Sequence, residues 1–178
     1  MKSFFILSFI FFSLFLLLFS SCSTEKKEPQ QTVIDEYHLK AQLEKVQKPV
    51  ITLENDIINS YVKQHQLNMQ VTGSGLRYAI LKNDNSGKLL QSLEEVNLKF
   101  KIFLLSGELC YSSDKTGIKK VKIDQDHVET GLHEGLKLLH KGDKAIFIIP
   151  SHLAHGVVGD NDKIPPKSPL FVELEVLK

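Results

Sequence analysis

Hydrophobic residues change their spacing along the chain near Val71. After this point the apolar residues lie in short alternating or continuous apolar runs rich in Val, Ile, Phe and Leu, and Gly, Asn, Asp or Pro separate the runs. This pattern is typical of strands in an antiparallel sheet. We predict five strands, at Leu76–Lys82, Val96–Leu105, Val121–Asp124, Lys144–Pro150 and Leu170–Leu177.

One helix interrupts the predicted strands. In GLHEGLKLLHKGD, residues 131–143, leucines recur at helical spacing, and Gly142 stands where the helix should stop. Five strands and one short helix predict an α+β domain whose antiparallel sheet curls over the helix. The residues expected to form its core are Leu136, Leu139, Phe147 and Ile149.

Two helical patterns precede the strands, VIDEYHLKAQLEKVQ at 33–47 and LENDIINSYVKQHQL at 53–67. Each has an imperfect apolar stripe along one face. Two interpretations of the stripes stay open, namely packing against the strand-containing domain and pairing with a second copy of the chain. The second interpretation predicts a homodimer through the N-terminal helices.

The first 21 residues have the layout of a secretory signal. Lys2 precedes an almost unbroken apolar run, Phe4–Phe19, and two serines then lead to Cys22, which is the order of basic, apolar and small residues in a cleaved signal. An uncleaved transmembrane anchor is the alternative, because about 20 apolar residues span a bilayer. The Ser-Ser-Cys ending resembles a bacterial lipobox, although Phe19 stands where that pattern usually has Leu. The resemblance implies cleavage before Cys22, lipidation of its thiol, and anchoring in the bacterial cell envelope at the outer membrane.

These patterns divide the chain into four parts. The signal segment is 1–21, and the charged stretch that follows, with Pro29 in it, is a polar tether at 22–32. A helical segment occupies 33–70, and the strand-containing domain occupies 71–178.

The charge balance argues against a nucleic-acid-binding protein, and the cysteine content bears on the compartment of the protein. The 22 basic and 21 acidic residues nearly balance, so nothing favours nucleic acid, whose partners carry a basic patch or stripe. The two cysteines are Cys22 and Cys110. If Cys22 carries lipid, Cys110 is a lone thiol in an oxidising compartment. A disulfide between the two would block the signal junction.

The sequence does not indicate a metal site or a covalent nucleophile. HEGLK, beginning at His133, starts like the zinc-protease motif HExxH but has Lys137 in place of the second histidine. His133 and His140 are two helical turns apart, about 10 Å along the axis, which is too far to share a metal. A Gly-x-Ser-x-Gly elbow does not occur in the sequence. We therefore expect no metal and no cofactor.

Three motifs follow one another between Val128 and Leu177. They are a V-x-x-G helix entry at Val128, the segment IPSHLAHG ending at Gly156, and a G-x(4)-IPP turn beginning at Gly159. This order resembles the C-terminal half of an FK506-binding-protein domain, a family of peptidyl-prolyl cis/trans isomerases. The resemblance continues more weakly upstream through SGLRYAILKN and EEVNLKFKIFLLSGELCYSSD. A tethered domain behind a helical segment also resembles the lipoprotein isomerases associated with gliding motility.

The resemblance implies a long connection folded over an apolar pocket. It implies that the Glu129 backbone N–H binds a ligand carbonyl, and that His155, in the place of the family's tyrosine, hydrogen-bonds the carbonyl before proline. Cys110 and Tyr111 replace the usual aromatic and Asp, and Leu132 replaces the usual tryptophan. The site residues that the resemblance implies are Phe100, Tyr111, Val128, Glu129, Leu132, His155, Ile164 and Val172.

The implied function is peptidyl-prolyl isomerisation that assists the folding of envelope or exported proteins. Rotation about an X–Pro bond needs desolvation and a fitted apolar slot rather than a nucleophile or a cofactor. The implied partners are proline-containing polypeptides and a lipid membrane reached through acylated Cys22, without nucleic acid. The departures at Cys110, Tyr111 and His155 leave two alternatives open, reduced activity or a non-catalytic chaperone or peptide-binding module of the same fold.

Overall fold

The structure, a computed structural model, describes residues 40, 52–84 and 87–178. The chain divides into two compact units, residues 1–46 and 47–178. In the first unit only Lys40 is described, and it is helical. The predicted signal segment, Cys22, the tether and the rest of the first helical pattern lie outside the described residues. All elements below belong to the second unit.

The second unit contains helices at its start and middle and strands throughout. The helices are α1 (52–64), α2 (Ser113–Thr116) and α3 (Thr130–Leu136), with a 3-10 turn at Ser151–Leu153. The strands are β1 (Gln70–Val71), β2 (Arg77–Lys82), β3 (Glu95–Leu104), β4 (Leu109–Ser112), β5 (Lys119–Lys122), β6 (Lys144–Ile149) and β7 (Leu170–Val176).

The strands form one antiparallel sheet in the order β1-β2-β6-β7-β3-β4. The long strand β3 also pairs with β5 through its first half, Glu95 to Leu98, and with β4 through its second half. The predicted fold class is confirmed, and each of the five predicted strands overlaps an observed one, although the strand predicted at Val121–Asp124 lies at Lys119–Lys122. The prediction missed β1, which has only 2 residues, and β4, which has 4 residues and pairs with the second half of β3.

The predicted helix over residues 131–143 is wrong at its C-terminal end. Helix α3 stops at Leu136, and the closing turn, residues 137–143, connects it to β6. Gly142 has φ +92° within this turn rather than at a helix stop, a conformation that favours glycine. The reason is tertiary, because the buried Asp143 carboxylate accepts the His140 N–H at 2.8 Å and fixes the turn.

The predicted core is confirmed, since Leu136, Leu139 and Phe147 are fully buried and Ile149 is 1% exposed. Helix α3 lies close to β6 because its facing residues have no side chain. A Cβ on Gly135 would lie 2.8 Å from the Phe147 ring, and one on Gly131 would lie 2.5 Å from Ile149. The leucine spacing therefore predicted burial correctly, although Leu139 lies outside the helix.

Helix α1 packs on the sheet face opposite α3. Ile58 is fully buried, and the Tyr61 ring lies 5.9 Å from that of Phe171 on β7. For α1, packing against the domain is therefore what the structure shows, while the homodimer stays a prediction. Among residues 40, 52–84 and 87–178, no helix has both the length and the apolar character needed to cross a membrane.

Candidate functional site

A cleft of about 790 Å³ opens between the sheet and the connections around it, a size within the usual range of ligand sites. Its walls come from β3 and β4, from the stretch 116–119 between the end of α2 and the start of β5, and from the stretch 127–130 that enters α3. Residues 154, 155 and 160 complete them. We call residues 154–164 the cleft loop. Segments distant in sequence therefore converge on one concave surface.

Five of the eight predicted site residues line the cleft, namely Phe100, Tyr111, Val128, Glu129 and His155. The other three do not belong to its lining. Leu132, Ile164 and Val172 are 6%, 2% and 3% exposed and belong to the core cluster, against which Phe100, Tyr111 and Val128 pack. The structure therefore places these three side chains in the layer behind the cleft wall, where they pack into the hydrophobic core.

The apolar wall of the cleft is built on β3. Phe100 and Ile102 point to the same side of this strand because strand side chains alternate, and Ile102 pairs with Tyr111 on β4. The Phe100 N–H donates to Ser113 Oγ at 3.1 Å, and the Ser112 side chain caps α2 through the Asp114 N–H. These contacts hold α2 beside the cleft without using a charged group on the wall.

Tyr111 and Asp160 join the two sides of the cleft. The Tyr111 hydroxyl donates to Asp160 Oδ2 at 2.5 Å, and it lies 3.2 Å from Asp162 Oδ2. This bond to a carboxylate, together with burial, raises the pKa of Tyr111. The ammonium of Lys163 lies 4.9 Å from the centre of the Tyr111 ring, which is within cation–π range.

Asp160 also organises the cleft loop. Its Oδ1 accepts the N–H groups of Ile164 at 2.7 Å and Asp162 at 2.9 Å. Burial opposes ionisation, but the hydrogen bonds from Tyr111 and from these amides lower the pKa of Asp160 to about 2. The next residue back, Gly159, has φ +76°, and a Cβ there would collide with the Ile164 carbonyl.

Sequence reasoning missed Asp160. It noted that Tyr111 removes the family's carboxylate from the strand, and the structure brings a carboxylate to Tyr111 from the loop instead. The available signal was the pair Asp160 and Asp162 beside Gly159, since Asp side chains commonly accept backbone N–H groups in turns. Only the fold shows that this side chain reaches β4.

His155 and Glu129 face each other across the cleft, with Nε2 3.2 Å from Oε1. An ionised carboxylate can only accept, so Nε2 carries the hydrogen, and Nδ1 of a neutral ring is then an acceptor. The predicted donation from His155 to a peptide carbonyl therefore needs the ring to leave Glu129 or to gain a proton. That role stays a prediction.

The Glu129 backbone N–H donates to no oxygen of the described residues. It is therefore free to meet a ligand carbonyl, as the resemblance implies. His152, by contrast, is exposed and places Nε2 3.1 Å from the Ser74 carbonyl. It does not line the cleft.

Cys110 is buried, and His133 forms hydrogen bonds with backbone groups, so both residues contribute to the fold rather than to the cleft. Burial raises the pKa of the Cys110 thiol, and Cys110 does not line the cleft. His133 accepts the Asp124 N–H at Nδ1, 3.0 Å away, and its Nε2 lies 3.0 Å from the Asp126 carbonyl. In the part of the chain that the structure describes, no group of three or more His, Cys, Asp or Glu side chains could hold a metal ion.

The sequence matches proteins of one enzyme family. A protein-family model described as FKBP-type peptidyl-prolyl cis-trans isomerase matches residues 87–177, just over half of the chain. A probable isomerase of this type from Haemophilus influenzae is 35% identical over 109 residues, which cover 61% of this chain and 44% of the relative. The FkpA isomerase of Buchnera aphidicola subsp. Baizongia pistaciae is 29% identical over 160 residues, 83% of this chain and 62% of the relative. The chain thus spans less than two thirds of the length of either relative.

Solved structures share the fold. FkpA from Escherichia coli superposes with a TM-score of 0.63 at 22% identity, over 96% of this chain and 80% of that one. AtFKBP13 superposes with a TM-score of 0.58 at 24% identity, over 62% of this chain and 98% of that one. At these identities the likeness concerns the fold, an antiparallel sheet with few helices.

Proposed function

Because the chain belongs to the family of FKBP-type peptidyl-prolyl cis-trans isomerases, we propose that it catalyses the cis/trans isomerisation of X–Pro bonds in polypeptides bound in the cleft. The observation that carries the proposal is the wall of Phe100, Ile102 and Val128 next to two polar groups, the Glu129 N–H and His155. An apolar slot suits the pyrrolidine ring of proline. The Glu129 N–H and His155 lie next to this slot, where they could form hydrogen bonds with a carbonyl of the bound peptide.

The chemistry requires only a change of environment. Amide resonance creates a barrier of about 20 kcal/mol to rotation. Twisting the X–Pro bond breaks this resonance and reduces the charge on the carbonyl oxygen. A cleft that excludes water and fits the twisted bond better than the planar one lowers the barrier. No covalent intermediate and no cofactor take part.

The residues have separate roles in this proposal. Phe100, Ile102 and Val128 hold the proline ring by apolar contact, and the Glu129 N–H orients the carbonyl. Tyr111 and Asp160 hold the cleft loop against β4, so that the wall keeps its shape when a peptide binds.

A test is a prolyl isomerisation assay on the full chain in mild detergent, with an Ala-Leu-Pro-Phe peptide. The parent should accelerate isomerisation in proportion to its concentration, and Phe100→Ala should reduce kcat/KM about tenfold or more, because it removes the apolar contact with the proline ring. Phe103→Ala is the matched control, since Phe103 lies on the same strand but faces Phe171 on the other side of the sheet.

A non-catalytic peptide-binding module is the second candidate. The contact of His155 Nε2 with Glu129 favours it, because this contact occupies a donor that a peptide carbonyl would use. Binding of the peptide without acceleration would identify the module, whereas acceleration identifies the isomerase.

We also propose that the protein is a lipid-anchored envelope isomerase that acts on envelope or exported clients, similar to the gliding-motility lipoproteins. The support is the apolar run Phe4–Phe19 and the Ser-Ser-Cys junction at Cys22. The exposed Leu53 and Ile57 on α1 support a homodimer through the N-terminal helices.

Cys22→Ala should abolish fatty-acid labelling and leave an unprocessed precursor, because the lipidated thiol is what the signal peptidase would recognise. Metabolic labelling of the full chain with a fatty acid measures this. Labelling that survives the substitution would contradict lipidation at Cys22.

A further inference from the structure

Helix α1 reaches the start of the connection that carries His155 through one carboxylate. Glu54 Oε1 accepts the Ser151 N–H at 2.6 Å, and Glu54 Oε2 accepts the Ser151 hydroxyl at 2.5 Å. Both oxygens therefore engage a single residue, 97 positions away in the sequence. Hydrogen bonds to a charged acceptor are among the stronger ones in proteins.

Ser151 passes this contact on to the cleft loop. Its carbonyl accepts the Ala154 N–H at 3.0 Å and the Gly156 N–H at 2.8 Å. These two amides stand on either side of His155. The N–H and hydroxyl of Ser151 thus bind α1, while its carbonyl holds the backbone that flanks the cleft histidine.

A buried guanidinium keeps α1 in place beside Glu54. Arg77 is 5% exposed, and it donates to the side-chain oxygens of Asn55 at 3.2 Å and Asn59 at 2.9 Å. Burial lowers the pKa of Arg77, and the negative charge of Glu54 opposes that shift. The nearby cation in turn offsets the cost of partly burying the Glu54 carboxylate.

We propose that Glu54 is a positioning residue of the cleft, which acts through Ser151 to set the place of His155. Helix α1 is then part of the site rather than a spacer between the anchor and the domain. The kinetic side of this inference rests on the proposed isomerase function, whereas the structural side does not.

The experiment uses the full chain in mild detergent and compares Glu54→Ala, Glu54→Gln and Ser151→Ala. Two quantities are measured, kcat/KM for a prolyl peptide and hydrogen exchange of the Ala154 and Gly156 amides relative to amides of β7. Asp56→Ala is the matched control, because it removes the same charge from the same helix at an exposed position.

Glu54→Ala should lower kcat/KM about tenfold and speed exchange at Ala154 and Gly156 while the β7 amides keep their protection. Glu54→Gln should recover part of both, since its amide oxygen still accepts the Ser151 N–H. Ser151→Ala should fall between Glu54→Ala and the parent, because it loses only the hydroxyl. Asp56→Ala should match the parent.

Parent-like kcat/KM and exchange in Glu54→Ala would overturn the proposal. So would an equal rise of exchange in the cleft loop and in β7, since that would mean a general loss of stability. If Glu54→Ala does not fold, Glu54→Gln and Ser151→Ala decide by the same measurements. If the parent itself fails to accelerate isomerisation, the proposed function is wrong, and the exchange comparison still decides the positioning role.

Discussion

The two connections at the ends of β6 are each organised by an aspartate, with different results. In the closing turn, residues 137–143, the fully buried Asp143 accepts the backbone N–H groups of His140 and Asp84. In the cleft loop, Asp160 accepts those of Asp162 and Ile164, and also the Tyr111 hydroxyl. An aspartate that accepts backbone N–H groups therefore stabilises a buried turn in one case and the wall of a cleft in the other.

The difference lies in what surrounds each carboxylate. Asp143 is fully buried and does not line the cleft, so we expect its hydrogen bonds to contribute to stability rather than to activity. Asp160 is partly exposed at the cleft, and the tip of its loop carries Val157 and Val158, which are 72% and 61% exposed. Connections that keep exposed side chains on a rigid frame are where binding residues concentrate. The comparison predicts that changes at the first end cost stability, and that changes at the second end cost activity.

The largest effect is expected at Phe147, on the strand that joins the two ends. Phe147→Ala should reduce the free energy of unfolding by about 3–5 kcal/mol, because it leaves a cavity under α3. Denaturant unfolding of the purified variant measures this loss. An unchanged melting temperature would contradict the burial of Phe147. It would also show that β6 is not the common support of the closing turn and the cleft loop.

Asp143→Ala should come next, with a loss of about 2–3 kcal/mol in the free energy of unfolding, because it removes a fully buried carboxylate that accepts two partly buried N–H groups. Its kcat/KM per folded molecule should equal that of the parent. Thermal unfolding and the isomerase assay together check both statements. A fall in kcat/KM with intact stability would show that the two ends are not separate in function.

Tyr111→Phe should cost about 1 kcal/mol of stability, because it removes one hydrogen bond and keeps the ring. It should also lower isomerase activity, since Asp160 then holds the cleft loop with backbone contacts alone. Equilibrium unfolding and kcat/KM of the variant are the measurements. A loss of stability without any change in activity would mean that the Tyr111–Asp160 hydrogen bond, like those of Asp143, contributes to stability only.

The same pair has a pH dependence. The folded pKa of Asp160 is about 2, below its ordinary value of 3.8. The stabilising effect of the ionised carboxylate is therefore complete above about pH 4 and is lost as the pH falls through about 2. Stability measured across this window should fall less steeply in Tyr111→Phe than in the parent. Identical slopes would mean that Tyr111 does not lower the pKa of Asp160.

The last prediction concerns His155 and affects activity rather than stability. His155→Ala should reduce activity about three- to tenfold, which corresponds to the loss of one hydrogen bond of about 0.5–1.5 kcal/mol. His155→Tyr should maintain or raise activity, because a phenol is a donor without needing to leave Glu129 or gain a proton. His152→Ala, outside the cleft, is the control. A folded His155→Ala variant as fast as the parent would contradict the assignment.

Sequence patterns predicted the larger elements well and the short ones poorly. Runs of six or more residues were enough to find β2, β3, β6 and β7, by alternation or, in β6, by a continuous apolar run that is buried on both faces. Strand β4 was not predicted because its four residues follow a turn at Gly107, and because its pairing is set by β3 rather than by its own pattern. The end of α3 was predicted wrongly because Asp143, which lies beyond the leucine repeat, fixes the turn that follows the helix.

The candidate site divides in the same way. Five of the residues that the resemblance implied line the cleft, namely Phe100, Tyr111, Val128, Glu129 and His155, and their role in binding stays a prediction. The resemblance placed Leu132, Ile164 and Val172 on the wall, whereas they lie in the core behind it. A one-dimensional match cannot tell a wall from the layer behind it, because both layers are apolar.

The sequence by itself determined the fold class, the leucine and phenylalanine core, and the family, because these depend on periodicity and on motifs that are local along the chain. The tertiary structure alone decided that Asp160 meets Tyr111, that His155 meets Glu129, and that Glu54 meets Ser151. Each of these pairs joins residues at least 26 positions apart through a directional hydrogen bond. Such bonds depend on distance and angle in three dimensions, which residue order does not encode locally.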